Sequence, residues 1–455
     1  MRGRVLLINP WIYDFAAYDL WAAPLGLLSI AAVLRDAGYQ VTYLDCLDRH
    51  HPDLPGRLGH EPRENAYGCG KFLKTLLPKP PILRDVPRRY GRYGLPLDLF
   101  DQELAQMPRP DVVMVTSGMT YWYPGAFEAI RRVKARFPGA PVILGGIYAT
   151  LCHDHAVAHS GADVVVAGEG ERQALHWASR LTGQEPPPEG RYAGLDDLPY
   201  PAFDLLRRLD YVSIATSRGC PLRCTYCASH LLHPRGLEQR SPQRVVDEIA
   251  HWHGRHGVQD IAFYDDALLV NADRHLHPIL DGVLQRGLRL RFHTPNGLHA
   301  RLIDRALADK MFAAGFKTLR LSLETTDPGR QRETGSKVTT PEMERAIAHL
   351  REAGFTGREI GVYILMGLPG QPLDEVIEGV HYVHRLGAVA DLAFYSPIPG
   401  TVEWEHAVAA GHIPPDADPL LHNNTIYPIL RGHASERECQ QVKDLARALN
   451  RELAP

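Results

Sequence analysis

The sequence lacks several features that would assign it to other classes of protein. It has no uninterrupted apolar run of about 18 residues, which argues against a membrane-spanning helix. Its 50 basic and 53 acidic side chains nearly balance, so no electrostatic case exists for a nucleic-acid partner. The N-terminus runs directly into a β-type apolar segment without the pattern of a signal peptide. We therefore expect a cytoplasmic protein.

Cysteine is also scarce, with seven residues in 455, an odd number that disfavours a disulfide scaffold. Three of them form a C-x3-C-x2-C segment: Cys220, Cys224 and Cys227. Thiolates at this spacing can ligate three irons of a [4Fe–4S] cluster and leave the fourth iron open. A zinc site or three unrelated thiols are the alternatives. Structural zinc normally takes four ligands, often as two C-x2-C pairs, and no second cysteine pair exists here.

The same segment, with the aromatic residue Tyr226 before its last cysteine, resembles the signature of the radical SAM superfamily. The resemblance implies that the open iron binds S-adenosylmethionine (SAM) and passes an electron into its sulfonium, which yields a carbon radical. It also implies that Tyr226 contributes to the SAM site. An electron donor such as flavodoxin or ferredoxin is expected as a partner.

From residue 211 onward, short β-type runs alternate with helical segments. Strands are predicted at 211–216, 260–264, 289–293, 318–323, 360–365 and 391–395. Six such units are two short of a full (β/α)8 barrel, and a partial (β/α)6 TIM barrel is the core that the resemblance implies. In related barrels the catalytic groups lie at the carboxyl ends of the strands.

The resemblance also implies a series of SAM contacts at these strand ends. A carboxylate after the second strand would meet the amino group of SAM, and polar or acidic side chains after the next two would meet its carboxylate and ribose. The residues at the matching positions are Asp265, Asp266, Asn296, Glu324 and Gly367. Tyr395, after the sixth strand, is a candidate for hydrogen-atom donation or substrate orientation, although a packed tyrosine is the favoured interpretation.

The first 181 residues show the same alternation. Strands are predicted at 5–8, 41–44, 112–116, 142–144 and 164–166, and helices at 25–37, 125–137, 151–160 and 171–181. This order predicts a parallel, doubly wound Rossmann-like sheet, whose ligand lies at the carboxyl ends of the strands.

This half resembles the cobalamin-binding domain that precedes many radical SAM enzymes, a flavodoxin-like fold. The resemblance depends on the element order, the helix start at Pro24-Leu25-Gly26-Leu27, the Gly145-Gly146 turn and the Gly168-Glu169-Gly170-Glu171 run. It implies that cobalamin is contacted by Thr116, Ser117, Gly145, Gly146, Glu169, Gly170 and Glu171. The alternative is a Rossmann-like domain that has lost its cofactor.

One departure from the cobalamin-binding pattern concerns the lower cobalt ligand. Domains that ligate cobalt from below use D-x-H-x-x-G, and the nearest match, Asp48-Arg49-His50-His51-Pro52-Asp53, lacks the glycine. His50 is therefore not assigned as a cobalt ligand.

We expect four regions: a Rossmann-like domain at 1–181 with an insertion at 50–110, a linker at 182–210, the partial barrel at 211–400 and a short tail at 401–455. Arginines and tyrosines at 84–93 of the insertion could hold an anionic or planar substrate, or the segment could be a solvated flap. Cys69 could be reactive or contact a metal, although a lone cysteine is more often inert.

These patterns together predict a cobalamin-dependent radical SAM enzyme that methylates an unactivated carbon of a small molecule or natural product. One alternative is a radical SAM oxidase or rearrangement enzyme that transfers no methyl group. Another is a non-catalytic sensor of cobalamin or iron–sulfur status, against which the complete series of predicted SAM contacts argues. The sequence does not identify the substrate.

Overall fold

A computed structural model of the chain describes residues 2–58, 64–185, 188, 190–430 and 434–453. The chain divides into two compact units. The first consists of Met1–Asp210 with Asp418–Asn423, and the second of Tyr211–Ala417 with Asn424–Pro455. Each unit is built around its own parallel sheet, which confirms the predicted α/β class.

The first unit contains a five-stranded parallel sheet. Its strands are β1 (Arg4–Asn9), β2 (Gln40–Asp45), β3 (Val112–Val115), β4 (Val142–Leu144) and β5 (Val164–Val165). Their spatial order is β5-β4-β3-β1-β2. This is the flavodoxin-like order, in which the connections change direction between β1 and β3.

Helices cover both faces of this sheet because alternate strand residues are apolar on both sides. Val5 and Leu7 face one core together with helices Leu25–Asp36 and Gly170–Leu181. Leu6 and Ile8 face the other core, where the packed helices are Leu97–Gln106, Tyr123–Arg136, Ile147–Leu151 and His153–His159. The last two replace the single helix predicted at 151–160.

The predicted insertion at 50–110 is folded rather than a solvated flap. Its last part, Leu97–Gln106, is the crossover helix between β2 and β3. Tyr90 and Tyr93 are buried, and the Tyr93 hydroxyl donates to the Phe15 carbonyl at 2.8 Å. Shorter elements are Leu54–Leu58, an antiparallel sheet of Ile12–Asp14, Lys74–Leu76 and Gly91–Tyr93, and a pair formed by Tyr18–Asp19 and Gly70–Lys71. Residues 59–63 lie outside the described part.

The predicted linker at 182–210 packs against the helix Leu25–Asp36. The Tyr192 hydroxyl donates to Asp36 Oδ2 at 2.5 Å, and Arg35 forms an ion pair with Asp204 at 2.8 Å. These contacts make most of the segment part of the first unit. Pro186, Pro187 and Glu189 lie outside the described residues.

The second unit contains a six-stranded parallel sheet in sequential order. Its strands are β6 (Tyr211–Ile214), β7 (Asp260–Phe263), β8 (Arg291–His293), β9 (Phe316–Glu324), β10 (Ile360–Met366) and β11 (Val389–Phe394). Sequential order in a parallel sheet is the arrangement of a partial (β/α) barrel, and each strand lies at its predicted position.

The helices between these strands are Pro242–His256, Leu276–Gln285, Arg305–Ala314, Thr340–Ala353 and Leu373–Arg385, with shorter helices at Ser229–Leu232 and Pro328–Glu333. A two-stranded ribbon pairs Ser217–Arg218 with Glu238–Gln239. No helix among the described residues is long and apolar enough to cross a membrane.

The predicted tail contributes to both units. Helices Val402–Ala409 and Glu436–Glu452 belong to the second unit, whereas Asp418–Asn423 belongs to the first. There, the Asn423 amide donates to the buried Asp14 carboxylate at 2.8 Å, and the Tyr123 hydroxyl donates to Asp418 at 3.1 Å. Residues 431–433 and 454–455 lie outside the described part.

Candidate functional site

The three-cysteine segment follows β6 and ends at the short helix Ser229–Leu232. Gly219, just before Cys220, has φ +78°, and a Cβ there would lie 2.2 Å from the Gly236 carbonyl oxygen. Glycine is therefore required where the chain enters this segment. Cys220, Cys224 and Cys227 line one cavity of about 330 Å³, and none of them is in a disulfide.

The chemistry of these thiols fits a metal group bound through sulfur. Burial raises the pKa of all three, that of Cys227 to about 11, whereas the nearby Lys337 ammonium acts in the opposite direction on each. The free thiols are therefore protonated at neutral pH, and a metal that binds here must displace their protons. The described residues that line the cavity supply three sulfur ligands and no fourth, as a cluster with one open iron requires.

Three of the predicted SAM-site residues line the same cavity: Tyr226, Asp266 and Asn296. The Ser229 hydroxyl donates to Asp266 Oδ2 at 2.6 Å. The Asn296 amide nitrogen donates to the carbonyl oxygens of Tyr264 and Asp265 at 3.0 and 3.2 Å. Hydrogen bonds therefore fix both polar side chains at the cavity wall.

Asp265 is placed differently from its neighbour Asp266. Its side chain is not part of the cavity wall, and Asp265 is only 4 % exposed. Oδ1 accepts from the hydroxyls of Thr216 and Ser217, both at 2.6 Å, and Oδ2 accepts from the Thr216 amide at 3.1 Å. Burial raises the pKa of this carboxyl, and the hydrogen bonds from Ser217 and Thr216 oppose that rise. Asp265 thus holds the chain that leads into the cysteine segment.

Glu324 ends β9 with φ +70°, a left-handed conformation that is rare for a residue with a Cβ and is concentrated at functional sites. Lys337 Nζ lies 3.6 Å from Glu324 Oε1 and donates to the Ser322 hydroxyl at 2.8 Å. Lys337 lines the cavity, whereas Glu324 is not part of the cavity wall. The acidic residue predicted here is therefore joined to the cavity through a lysine.

The other two predicted residues of this unit are also outside the cavity wall. Gly367 has φ +98°, and its amide donates to Gln371 Oε1 at 2.9 Å. Tyr395 is 4 % exposed, and burial raises the pKa of its phenol. The geometry of Tyr395 is that of a packed tyrosine.

Four polar residues of the cavity wall were not assigned from the sequence: Ser229, His299, Lys337 and Tyr363. Ser229 and Lys337 belong to segments between strands, where a search of strand ends finds nothing. Tyr363 lies within β10, and its hydroxyl donates to the Pro295 carbonyl at 2.7 Å. Its position on the inner side of an apolar strand is the one signal that could have indicated it.

In the first unit, the two glycines of the Gly145-Gly146 turn have different surroundings. Gly146 has φ +99°, and a Cβ there would lie 2.3 Å from the Ser117 carbonyl oxygen. The Ser117 hydroxyl donates to the Gly145 carbonyl at 2.6 Å, which joins the loops after β3 and β4. A Cβ at Gly145 would meet nothing closer than 3.9 Å. Gly145 therefore leaves the main chain open to a ligand, whereas Gly146 is required by packing.

The remaining residues predicted to contact cobalamin are divided between surface and core. The Thr116 amide donates to the Ile8 carbonyl at 3.2 Å, which places Thr116 beside the end of β1. Glu169 is partly exposed, and Glu171 is buried. A Cβ at Gly170 would lie 2.8 Å from Ile30 Cδ1, so Gly170 faces a neighbouring helix.

His50 is engaged with a carboxylate of the same unit. Its Nε2 atom lies 3.3 Å from Asp210 Oδ2. That His50 is not a cobalt ligand stays a prediction.

Comparison with known proteins gives two family matches. The family model of the Radical SAM superfamily matches residues 214–383, and that of the B12 binding domain matches residues 97–176. The first includes the cysteine segment and the second includes the Gly145-Gly146 turn.

Individual relatives extend over most of the chain. It is 25% identical to an uncharacterized methyltransferase of Pyrococcus horikoshii, over 74% of this chain and 84% of the relative. It is 24% identical to cytidylyl-2-hydroxyethylphosphonate methyltransferase of Streptomyces wedmorensis, over 99% of this chain and 89% of the relative. The structure of TsrM, a radical SAM methyltransferase of Kitasatospora setae with cobalamin and a [4Fe–4S] cluster bound, matches with TM-score 0.63 and 20% identity over 89% of this chain and 74% of TsrM.

A flavodoxin-like unit and a partial barrel with a three-cysteine cavity define an α/β protein of two units. The chain carries a Radical SAM superfamily domain and a B12 binding domain. Its cofactors are a [4Fe–4S] cluster, SAM and cobalamin. The predicted family, fold class and cofactors are confirmed.

Proposed function

We propose that this enzyme is a cobalamin-dependent radical SAM methyltransferase that methylates an unactivated carbon of a small molecule or natural product. The observation that carries the proposal is the single cavity that joins the three cysteines to Asp266, Asn296 and Lys337. Support for methyl transfer comes from the two curated relatives and from TsrM, all of which are named as methyltransferases.

The charges of the cavity complement the amino-acid part of SAM, which has one ammonium and one carboxylate group. Asp266 supplies a negative charge for the ammonium, and Lys337 supplies a positive charge for the carboxylate. Tyr226 and Tyr363 add rings to the wall, which limit the access of water to the reacting groups. When bound, the cluster supplies the electron that cleaves SAM, and cobalamin carries the methyl group.

We also infer an external one-electron donor such as flavodoxin or ferredoxin. Reductive cleavage of SAM consumes one electron in each turnover. The side chains that line the cavity are not a source of that electron, so another protein or reductant must deliver it.

The products of SAM distinguish methyl transfer from the alternatives without knowledge of the substrate. Protein reconstituted anaerobically with iron, sulfide and hydroxocobalamin is incubated with SAM, reductant and a metabolite extract. A methyltransferase of this kind forms both 5′-deoxyadenosine and S-adenosylhomocysteine, because one SAM gives the radical and another gives the methyl group. A radical SAM oxidase or rearrangement enzyme forms only the first. Failure to retain hydroxocobalamin after desalting would contradict the proposal.

A further inference from the structure

The middle of the cysteine segment is held by a residue from outside the barrel strands. Thr225 lies between Cys224 and Tyr226, and its hydroxyl donates to Glu403 Oε1 at 2.7 Å. In the opposite direction, the Glu403 amide donates to the Thr225 carbonyl at 3.1 Å. A side-chain bond and a main-chain bond therefore join the same two residues.

Glu403 is itself fixed in position. It lies in the first turn of the helix Val402–Ala409 and is 7 % exposed. Thr401 caps this helix, since its hydroxyl accepts from the Trp404 amide at 3.2 Å. The second carboxylate oxygen lies 3.1 Å from His406 Nδ1. A negative side chain in the first turn is also favoured by the helix dipole.

The two ends of the cysteine segment are held elsewhere. Asp265 binds Thr216 and Ser217 at its start, and Asp266 binds Ser229 at its end. Between these points, the Cys227 amide donates to the Cys224 carbonyl at 3.0 Å within the segment, and the Thr225 amide donates to the Thr334 carbonyl of another segment at 3.3 Å. The two hydrogen bonds between Glu403 and Thr225, at 2.7 and 3.1 Å, are thus shorter than the bond between Thr334 and Thr225.

We propose that Glu403 is a positioning residue for the iron–sulfur cluster, which holds Thr225 so that Cys224 and Cys227 keep the geometry that ligates iron. The proposal rests on the cluster and not on methyl transfer. Loss of the side-chain bond between Thr225 and Glu403 should let the segment open locally more often, and local opening exposes a cluster to chelators.

The test is the rate at which reconstituted, cobalamin-free protein loses iron to bathophenanthroline under anaerobic conditions. Glu403→Ala and Thr225→Val should each release iron about tenfold faster than wild type, because each removes a hydrogen bond to a charged group. Glu403→Gln, which keeps an acceptor oxygen, should stay within about twofold. Glu405→Ala is the matched control, since Glu405 is an exposed acid of the same helical turn.

Two further measurements separate positioning from general stability. The double variant Glu403→Ala/Thr225→Val should release iron no faster than either single variant, because both remove one interaction. The electron paramagnetic resonance spectrum of the reduced cluster should change in Glu403→Ala and not in Glu405→Ala.

Unchanged iron release in both single variants would overturn the proposal, as would a double variant in which the two increases in release rate add. A Glu403→Ala variant whose faster iron release is matched by a loss of thermal stability of the same size, and whose spectrum is unchanged, would also overturn it. Thr225→Val decides the question if Glu403→Ala does not fold. A wild-type protein that holds no iron would instead refute the cluster assignment.

Discussion

The adjacent residues Asp265 and Asp266 are predicted to have separable roles, which paired alanine variants can measure. Asp266 lines the cysteine cavity, which we propose holds SAM, so Asp266→Ala should remove a charge-assisted contact worth roughly 1.5–3 kcal/mol. That loss corresponds to a Kd for SAM about 10- to 150-fold higher. Asp265 instead accepts three buried hydrogen bonds from Thr216 and Ser217.

Asp265→Ala leaves those three donors without their acceptor. The Thr216 hydroxyl keeps His275 Nε2 as a partner at 2.8 Å, so the Thr216 amide and the Ser217 hydroxyl are the donors left unsatisfied. Each unsatisfied buried donor costs about 1–3 kcal/mol, so the folded protein should lose roughly 2 kcal/mol or more. The stability of the metal-free protein should therefore fall in Asp265→Ala well beyond any fall in Asp266→Ala, which removes one bond from Ser229.

The assays are isothermal titration of SAM into reconstituted protein and urea unfolding of the metal-free protein. Asp266→Asn is the conservative control, because it keeps an acceptor for Ser229 and loses only the charge. Wild-type SAM affinity in Asp266→Ala would remove this residue from the SAM site. Equal unfolding free energies in the two alanine variants would refute the positioning role of Asp265.

Four other outcomes are expected. Replacement of any one cluster cysteine, such as Cys224→Ala, should abolish SAM cleavage and the absorbance near 400 nm that accompanies about four irons in wild type, and a retained cluster would contradict the assignment. Gly145→Trp should block cobalamin retention after desalting while the unfolding midpoint stays near wild type, because a Cβ there meets no atom closer than 3.9 Å. Asn423→Leu should lower the unfolding free energy by about 1.5–3 kcal/mol in urea titrations, since the buried Asp14 carboxylate loses a donor. Burial raises the pKa of Asp260, but hydrogen bonds from Arg291 and His293 outweigh burial and hold this pKa below its usual range. The stabilisation that comes from the ionised carboxylate is complete above about pH 4 and is lost as pH falls through the pKa of Asp260 in the folded protein. The difference in unfolding free energy between wild type and Asp260→Asn should therefore narrow between pH 7 and pH 3.

Much of the fold was predictable because the information is local. Alternating short apolar runs and amphipathic segments identified all eleven strands of the two parallel sheets, with ends displaced by no more than about two residues. The crossover helix Leu97–Gln106 was missed because residues 50–110 were interpreted as an insertion. The cysteine spacing likewise predicted one site, and the three cysteines do line one cavity, because all of them belong to one short segment.

The direction of the side chains at the site could not be predicted from the neighbouring residues in the sequence. Asp265 and Asp266 are chemically identical neighbours, and only the packed chain shows that one faces Thr216 and the other faces the cavity. The same holds for the turn at Gly145 and Gly146, where the position of Ser117 decides which glycine is required.

By itself, then, the sequence determined the order of strands and helices, the three-cysteine ligand set and the class of chemistry. Only the tertiary structure decided which residues surround that ligand set. Lys337 and Glu403 reach the cysteine segment from more than a hundred residues away in the chain, and Asn423 reaches Asp14 from the opposite end. Such contacts depend on the path of every intervening loop, whereas periodicity and ligand spacing are set within a few residues.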